Sequence, residues 1–243
     1  MTRTSEPIFN VPGIVLAIIS ICALVLAGQT YLLTDEGANN AFLYCFGFVP
    51  ARYDGSPLAE RLPGGVGAAI WSFVTYAFIH GDITHLTMNS VWFLPFGSAV
   101  ARRFGTLRVI GFFAATAAGG ALIHLVTHWG ELIPMIGASG AVSGFMAGAI
   151  RFAFQHGGPL TMFRTDDPTA YFVPAAPLSS ALRDPRIVVF LVAWFGLNLV
   201  VGLLGVGMPG GDEQSIAWEA HIGGFLAGLL LFPLFDPVPA HAA

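Results

Sequence analysis

Long apolar runs separated by short polar segments dominate the chain from Gly13 to Leu234. A helix needs about 20 apolar residues to cross the hydrocarbon core of a membrane, and several of these runs reach that length. The pattern therefore predicts an all-α polytopic membrane protein. We expect six transmembrane helices, at about 13–33, 83–100, 107–127, 138–154, 185–206 and 216–234.

The polar segments predict a single membrane domain over 13–235 with short tails at 1–12 and 236–243. The longest connection, a first loop over 34–66, contains several charged residues and an apolar patch at 41–50. This patch is too short to span a membrane and is typical of an interfacial or re-entrant segment. The first apolar run is longer than a usual signal-peptide core, which favours a transmembrane helix over a signal peptide.

The composition supports a membrane protein rather than a soluble one. Of the 243 residues, 55% are hydrophobic and 10% are charged, whereas about 25% charged residues is usual in soluble domains. The net charge of −4 provides no basic surface for nucleic acid. The two cysteines, Cys22 and Cys45, have neither metal-binding nor redox spacing.

The arginines predict the orientation, because cytoplasmic loops are enriched in positive residues. With six helices, only Arg52 and Arg61 fall on one side of the membrane. The arginines on the opposite side are Arg3, Arg102, Arg103, Arg108, Arg151, Arg164, Arg183 and Arg186. We therefore expect both termini in the cytoplasm of a cell-membrane protein.

In this topology the second, fourth and sixth helices enter the membrane from the outer face. Their first two turns contain four polar side chains: His85, Asn89, Ser139 and His221. Because a helix rises 1.5 Å per residue, these groups share one shallow layer. They are the residue types of acyl transfer, in which a histidine takes the serine proton and returns it to the leaving amine.

Glycines near these residues predict close packing of the fourth and sixth helices. Those that share one helix face are Gly140 and Gly144 on the fourth helix, and Gly224 and Gly228 on the sixth. We expect this contact to bring the Ser139 hydroxyl within hydrogen-bond range of His221. Taken alone, the serine is better explained by ordinary packing of small residues between membrane helices than by catalysis.

Three motifs together resemble the rhomboid intramembrane serine proteases. They are Gly137-Ala138-Ser139-Gly140, His85 with Asn89, and Ala220-His221-Ile222-Gly223-Gly224. The resemblance extends over the six-helix bundle and implies that Ser139 is the nucleophile and His221 its general base, a dyad without an acid. His85, Asn89 and the backbone N–H of Ser139 would form the oxyanion hole.

The resemblance also implies that the substrates are transmembrane proteins with a small residue before the scissile bond, cleaved near the outer face. The fifth helix and the loop after it would form a lateral gate. The chain departs from common family patterns at three positions: Ser72 after Trp71, Ala101 after the second helix, and Ser143 in place of an aromatic residue.

Other polar residues support fewer conclusions. His124 and His128 have i, i+4 spacing and could bind a metal, but the sequence shows no third ligand, so contacts with loops are favoured. We expect His80 to hydrogen-bond the first loop and Glu219 to meet water or the outer loops. We predict no metal, no cofactor and no nucleic-acid partner; membrane lipids surround the domain, and its oligomeric state stays open.

Two other functions compete with proteolysis as explanations of this sequence. A transporter should show internal repeats or broken helices near the bilayer midplane, and we find no convincing repeat. A catalytically silent rhomboid-like protein that binds membrane clients would usually have lost Ser139 or His221, and both are present. The enzyme is therefore the favoured interpretation.

Overall fold

The computed structural model describes residues 10–160, 167–204 and 217–239, excluding the side chains of 201–204. These residues form α-helices joined by turns and short 3-10 segments, which confirms the all-α prediction. The helices are α1 (Gly13–Leu32), α2 (Glu36–Phe46), α3 (Gly65–Thr75), α4 (Ile83–Phe104), α5 (Thr106–Thr127), α6 (Ser139–Ile150), α7 (Leu178–Ala181), α8 (Pro185–Leu204) and α9 (Trp218–Phe235).

Among the described residues, three helices, α1, α5 and α9, are long and apolar enough to cross a membrane. Helix α3, with the turn after it, and α4 meet at an 83° bend, and counting the two as one bent span gives a fourth. Helix α6 has 12 residues and is about 18 Å long, well short of a bilayer core of roughly 30 Å. The helix predicted over 138–154 is therefore shorter than expected.

The burial of α6 explains how so short a helix can lie within the bundle. All of its residues from Gly140 to Ile150 are buried, and they contact α4, α5 and α9. Because protein rather than lipid surrounds this helix, it can end within the bundle without exposing its backbone to lipid. After Ile150 the backbone continues as turns, where the Arg151 side chain donates to the carbonyls of Ala176 and Leu229.

The connection between α1 and α4 is more ordered than the sequence interpretation indicated. It contains α2 and also α3, a helix we did not predict. The indole N–H of Trp71 donates to the carbonyl of Cys45 at 2.9 Å, and the Thr75 hydroxyl donates to the carbonyl of Phe46 at 2.6 Å. These bonds attach α3 to the end of α2.

Helices α5, α6 and α9 pack most closely, through their glycines. A Cβ atom added at Gly224 would overlap the carbonyl of Gly140, and one at Gly228 would overlap the carbonyl of Gly144. The backbones of α6 and α9 therefore touch directly, as small residues at a membrane-helix interface allow.

The end of the bundle formed by Arg103, Arg151 and Asp236 is called the arginine end below. Arg103 is buried, and its Nε and Nη2 donate to the two carboxylate oxygens of Asp236 at 2.8 Å each. Its Nη1 donates to the carbonyls of Tyr171 and Val173 at 2.7 and 2.8 Å. Each nitrogen of this guanidinium therefore has a partner.

Candidate active site

The first turns of α4, α6 and α9 meet at the opposite end of the bundle, called the serine end below. Ser139 begins α6, His85 is the third residue of α4, and His221 is the fourth residue of α9. Asp82 caps α4 by accepting from the backbone N–H of His85 at 2.8 Å. This cap fixes where the helix starts and thus the level of His85.

Gly137, two residues before Ser139, packs against α4. Its φ of 115° lies in a region that favours glycine, and an added Cβ would lie 2.6 Å from Nε2 of His85. The His85 ring therefore packs against the backbone two residues before Ser139. A hydrogen bond of 3.0 Å from the Gly137 N–H to the carbonyl of Tyr76 holds this strand of chain in place.

The contact between α6 and α9 brings the backbones on either side of the dyad together. A Cβ added at Gly140 would lie 3.3 Å from the carbonyl oxygen of Ala220. Ser139 and His221 are the chain neighbours of these two residues. Among the described contacts, however, no hydrogen bond joins the Ser139 hydroxyl to His221, so the packing brings the two backbones together without bonding the two side chains.

Asn89 is 7% exposed and lies one turn after His85 on α4. One hydrogen of its side-chain amide is donated to the carbonyl of His85 at 2.9 Å, which leaves the second hydrogen available. The first backbone N–H groups of α6 also have no intrahelical partner by helix geometry. No side-chain cap occupies the start of α6.

Two residues of α8, Asn198 and Trp194, contact His221 and were missed by sequence reasoning. The side-chain oxygen of Asn198 is hydrogen-bonded to Nδ1 of His221, and the Trp194 ring lies 6.2 Å from the imidazole, centre to centre. Asn198 is a polar residue within an apolar run, a signal of function that was available in the sequence.

The Asn198 amide determines which histidine nitrogen carries the proton. Its Nδ2 donates to the carbonyl of Trp194 at 2.7 Å, so its oxygen is the atom that faces His221. An amide oxygen accepts, and Nδ1 of His221 must therefore donate. The lone pair then lies on Nε2, and this nitrogen can accept a proton as a general base.

The remaining candidates lie nearby. Ser143, the position at which some family members have an aromatic residue, donates to the carbonyl of Ser139 at 2.8 Å. The aromatic ring beside His221 comes from Trp194 of α8 instead. His80 is buried and packs edge-on against His85 rather than against the first loop, with ring centres 5.0 Å apart. We expected Glu219 to meet water or the outer loops, but one of its carboxylate oxygens lies 4.0 Å from Nε2 of His128.

Comparison with known proteins gives one family. The family model described as the Rhomboid domain matches residues 67–236, which include every residue of the serine end. The RHOMBOID-like protein 6, mitochondrial, of Arabidopsis thaliana is 29% identical over 90% of this chain and 66% of its own length.

Two further relatives extend the comparison. The RHOMBOID-like protein 12, mitochondrial, of Arabidopsis thaliana is 32% identical over 63% of this chain and 43% of its own length. The Rhomboid protease GlpG of Serratia proteamaculans is 25% identical over 67% of this chain and 47% of its own length. The chain thus spans less than two thirds of the length of these relatives.

Proposed function

The chain belongs to the rhomboid family, and on that premise we propose that it is an intramembrane serine endopeptidase that cleaves transmembrane segments of membrane-anchored proteins. The observation that carries the proposal is the meeting of three first turns, which places Ser139, His221 and His85 at one end of the bundle. The likeness to a protein named a rhomboid protease agrees with it.

Ser139 is the nucleophile and His221 its general base. The Nε2 lone pair of His221 takes the serine proton as the hydroxyl oxygen attacks the substrate carbonyl, and the proton then passes to the leaving amine. Asn198 is a positioning residue, since its bond to Nδ1 holds the imidazole in the basic tautomer. The missing serine–histidine bond does not oppose this role, because such bonds often tighten only when substrate is bound.

The oxyanion that forms during attack is stabilised by donors already present at the serine end. These are the backbone N–H of Ser139 at the start of α6, the free amide hydrogen of Asn89 and the His85 ring. A helix N-terminus favours negative charge. Donors fixed in advance are worth more here than in water because they need no reorganisation during the reaction.

Helix α8 is the element best placed to admit a substrate. Its outer face is open, with Val189 69% and Val192 68% exposed, and aromatic pairs such as Trp92 with Trp194 and Phe195 with Phe225 join it to α4 and α9. A substrate helix entering here must unwind locally to expose its carbonyls, which explains a preference for small and helix-weakening residues. The loop after α8 lies largely outside the described residues.

The arginine distribution supports an orientation with both termini in the cytoplasm and the serine end towards the outer face. In that orientation, water for the hydrolysis step reaches Ser139 from the outer side. Cleavage would then occur near the outer ends of substrates.

Cleavage of a model substrate tests this function. The wild-type protein, reconstituted in vesicles with a substrate that has a destabilised transmembrane segment, should produce one cleaved fragment. Ser139→Ala and His221→Ala should abolish cleavage while the proteins stay folded, and Ser72→Ala should retain it. Cleavage that persists in Ser139→Ala would refute the mechanism, and a folded wild-type protein that cleaves no substrate would favour the client-binding alternative.

A further inference from the structure

His124, His128 and Glu219 come together on the outside of the serine end. Each offers one ligand atom, and these atoms all lie within 4.8 Å of one another. The two histidines are one turn apart on α5, and Glu219 is in the first turn of α9. The sequence interpretation found no third ligand for the histidines, and the fold supplies it from a residue 91 positions after His128.

Thr127 fixes the tautomer of His128. Its hydroxyl donates to the carbonyl of Ile123 at 3.0 Å, so its oxygen can accept from Nδ1 of His128, which lies 2.8 Å away. In the neutral imidazole, Nε2 of His128 then carries the lone pair. A metal-binding histidine characteristically donates its other ring N–H to such an outer partner.

The facing groups at the cluster both offer lone pairs. Nε2 of His128 and a carboxylate oxygen of Glu219 are 4.0 Å apart, too far for a hydrogen bond. Two such acceptors repel each other unless a proton on the imidazole or a metal cation lies between them. A divalent ion bound to both would remove this repulsion.

His124 completes the set from a more buried position. It is 7% exposed, its ring stacks on His128 with centres 4.1 Å apart, and the edge of Phe48 packs against it. Within the described part of the chain, its Nδ1 is buried without a hydrogen-bond partner. A buried polar nitrogen without a partner is costly and calls for an explanation.

We propose that His124, His128 and Glu219 bind a zinc ion. Two imidazoles and one carboxylate suit Zn²⁺ better than Mg²⁺ or Ca²⁺, which prefer oxygen ligands. Ideal bonds of about 2.0–2.1 Å require the ligand atoms to approach by somewhat more than 1 Å. Such a movement is within the reach of side chains that are partly exposed, as those of His128 (24%) and Glu219 (16%) are.

The ion would connect the end of α5 to the start of α9. Glu219 lies two residues before His221, so the metal would restrain the turn from which the proposed general base projects. This site is separate from Ser139 and takes no part in the acyl-transfer chemistry. It therefore stands or falls independently of the proposed protease activity.

Zinc binding by the purified full-length chain, with any affinity tag removed, tests the site. Titration calorimetry should show one Zn²⁺ per chain, Co²⁺ should give the visible absorption of a site with histidine ligands, and Zn²⁺ should raise the unfolding temperature. His128→Ala and Glu219→Gln should each weaken Zn²⁺ binding at least about 10-fold. Thr127→Val should weaken it while leaving all three ligands in place.

Two matched variants control for other metal-binding groups. His156 is an exposed histidine that follows the C-terminal end of α6, and Glu131 is an exposed carboxylate in the loop before α6. His156→Ala and Glu131→Gln should each leave Zn²⁺ affinity unchanged. The proposal is overturned if zinc binds with equal affinity to His128→Ala and Glu219→Gln. It is also overturned if the wild-type chain binds no zinc at all.

Discussion

The arginine end and the serine end both place polar side chains among apolar helices, but they treat those side chains differently. Every guanidinium nitrogen of Arg103 is paired with a carboxylate or a carbonyl. At the serine end, the Ser139 hydroxyl and Nε2 of His221 have no hydrogen-bond partner among the residues described. Fully paired groups stabilise a fold, whereas unpaired groups held in place by neighbours are available for chemistry.

This difference predicts that substitutions at the two ends will have different consequences. Changes at the arginine end should lower stability and leave the turnover of folded molecules intact. Changes at the serine end should lower activity more than stability. Measuring both quantities for the same variants shows whether the two properties are separate in this protein.

The largest effect on stability is expected for Arg103→Ala. The substitution leaves the buried carboxylate of Asp236 without its partner, and breaking such a pair typically costs about 3–5 kcal/mol. Chemical unfolding in detergent measures the loss, and kcat per folded molecule should not change. Arg108→Ala, an exposed arginine on α5, should stay within about 0.5 kcal/mol of wild type, so equal losses in both variants would contradict the distinction.

Gly137→Ala should have the largest effect at the serine end outside the dyad. The new methyl group would collide with the His85 ring at a φ that favours glycine, and misplacing a catalytic loop by about 1 Å can lower the rate about 100-fold. Gly55→Ala is the matched control, because Gly55 also has a positive φ but open space around it. It should keep full activity; similar losses in the two variants would assign the effect to backbone strain alone.

Asn198→Ala should have a moderate effect through His221. Losing one hydrogen bond of about 1–2 kcal/mol lowers kcat roughly 5- to 30-fold, and KM should change little because Asn198 is bonded to Nδ1 of His221 and not to the reacting nitrogen Nε2. Asn198→Asp should retain most activity, since a carboxylate also accepts from Nδ1. If Asn198→Asp is as impaired as Asn198→Ala, the asparagine acts through packing and does not position the histidine.

The smallest effect concerns the pH dependence of stability at the start of α8, where Asp184 and Arg186 form an exposed ion pair. Hydrogen bonds from Arg186 lower the pKa of Asp184 from 3.8 to about 2. A lowered pKa stabilises the fold above pH 3.8, and this contribution disappears as the pH falls through about 2. The stability difference between wild type and Asp184→Asn should therefore be constant from pH 7 to about 5 and shrink towards pH 2; a difference already lost at pH 5 would contradict it.

Much of the helical framework could be predicted from the sequence, because the position of each helix depends mainly on residues within it and next to it in the chain. The apolar runs predicted where α1, α4, α5 and α9 lie, and Asp82 marks the start of α4 by its own hydrogen bond. The shortness of α6 could not be predicted, because hydropathy does not show that protein, rather than lipid, surrounds it.

Contacts between helices were harder to predict than the helices themselves. The bond from Asn198 to His221 depends on the rotation of α8 against α9, and the cluster of His128 with Glu219 depends on where α5 ends beside α9. Neither rotation nor offset can be obtained from a single sequence. The glycines on α6 and α9 indicated which faces would meet, but not which side chains would then become neighbours.

Labelling with a fluorophosphonate, read by peptide mass spectrometry, tests the reactivity of the serine end most directly, because it requires no substrate. We expect one modified residue, Ser139, in the wild-type protein, and no modification in a folded His221→Ala variant. Ser143, four residues further along α6, serves as an internal control because its hydroxyl is committed to the carbonyl of Ser139. Label on Ser143, or on Ser139 without His221, would contradict the assignment of nucleophile and base.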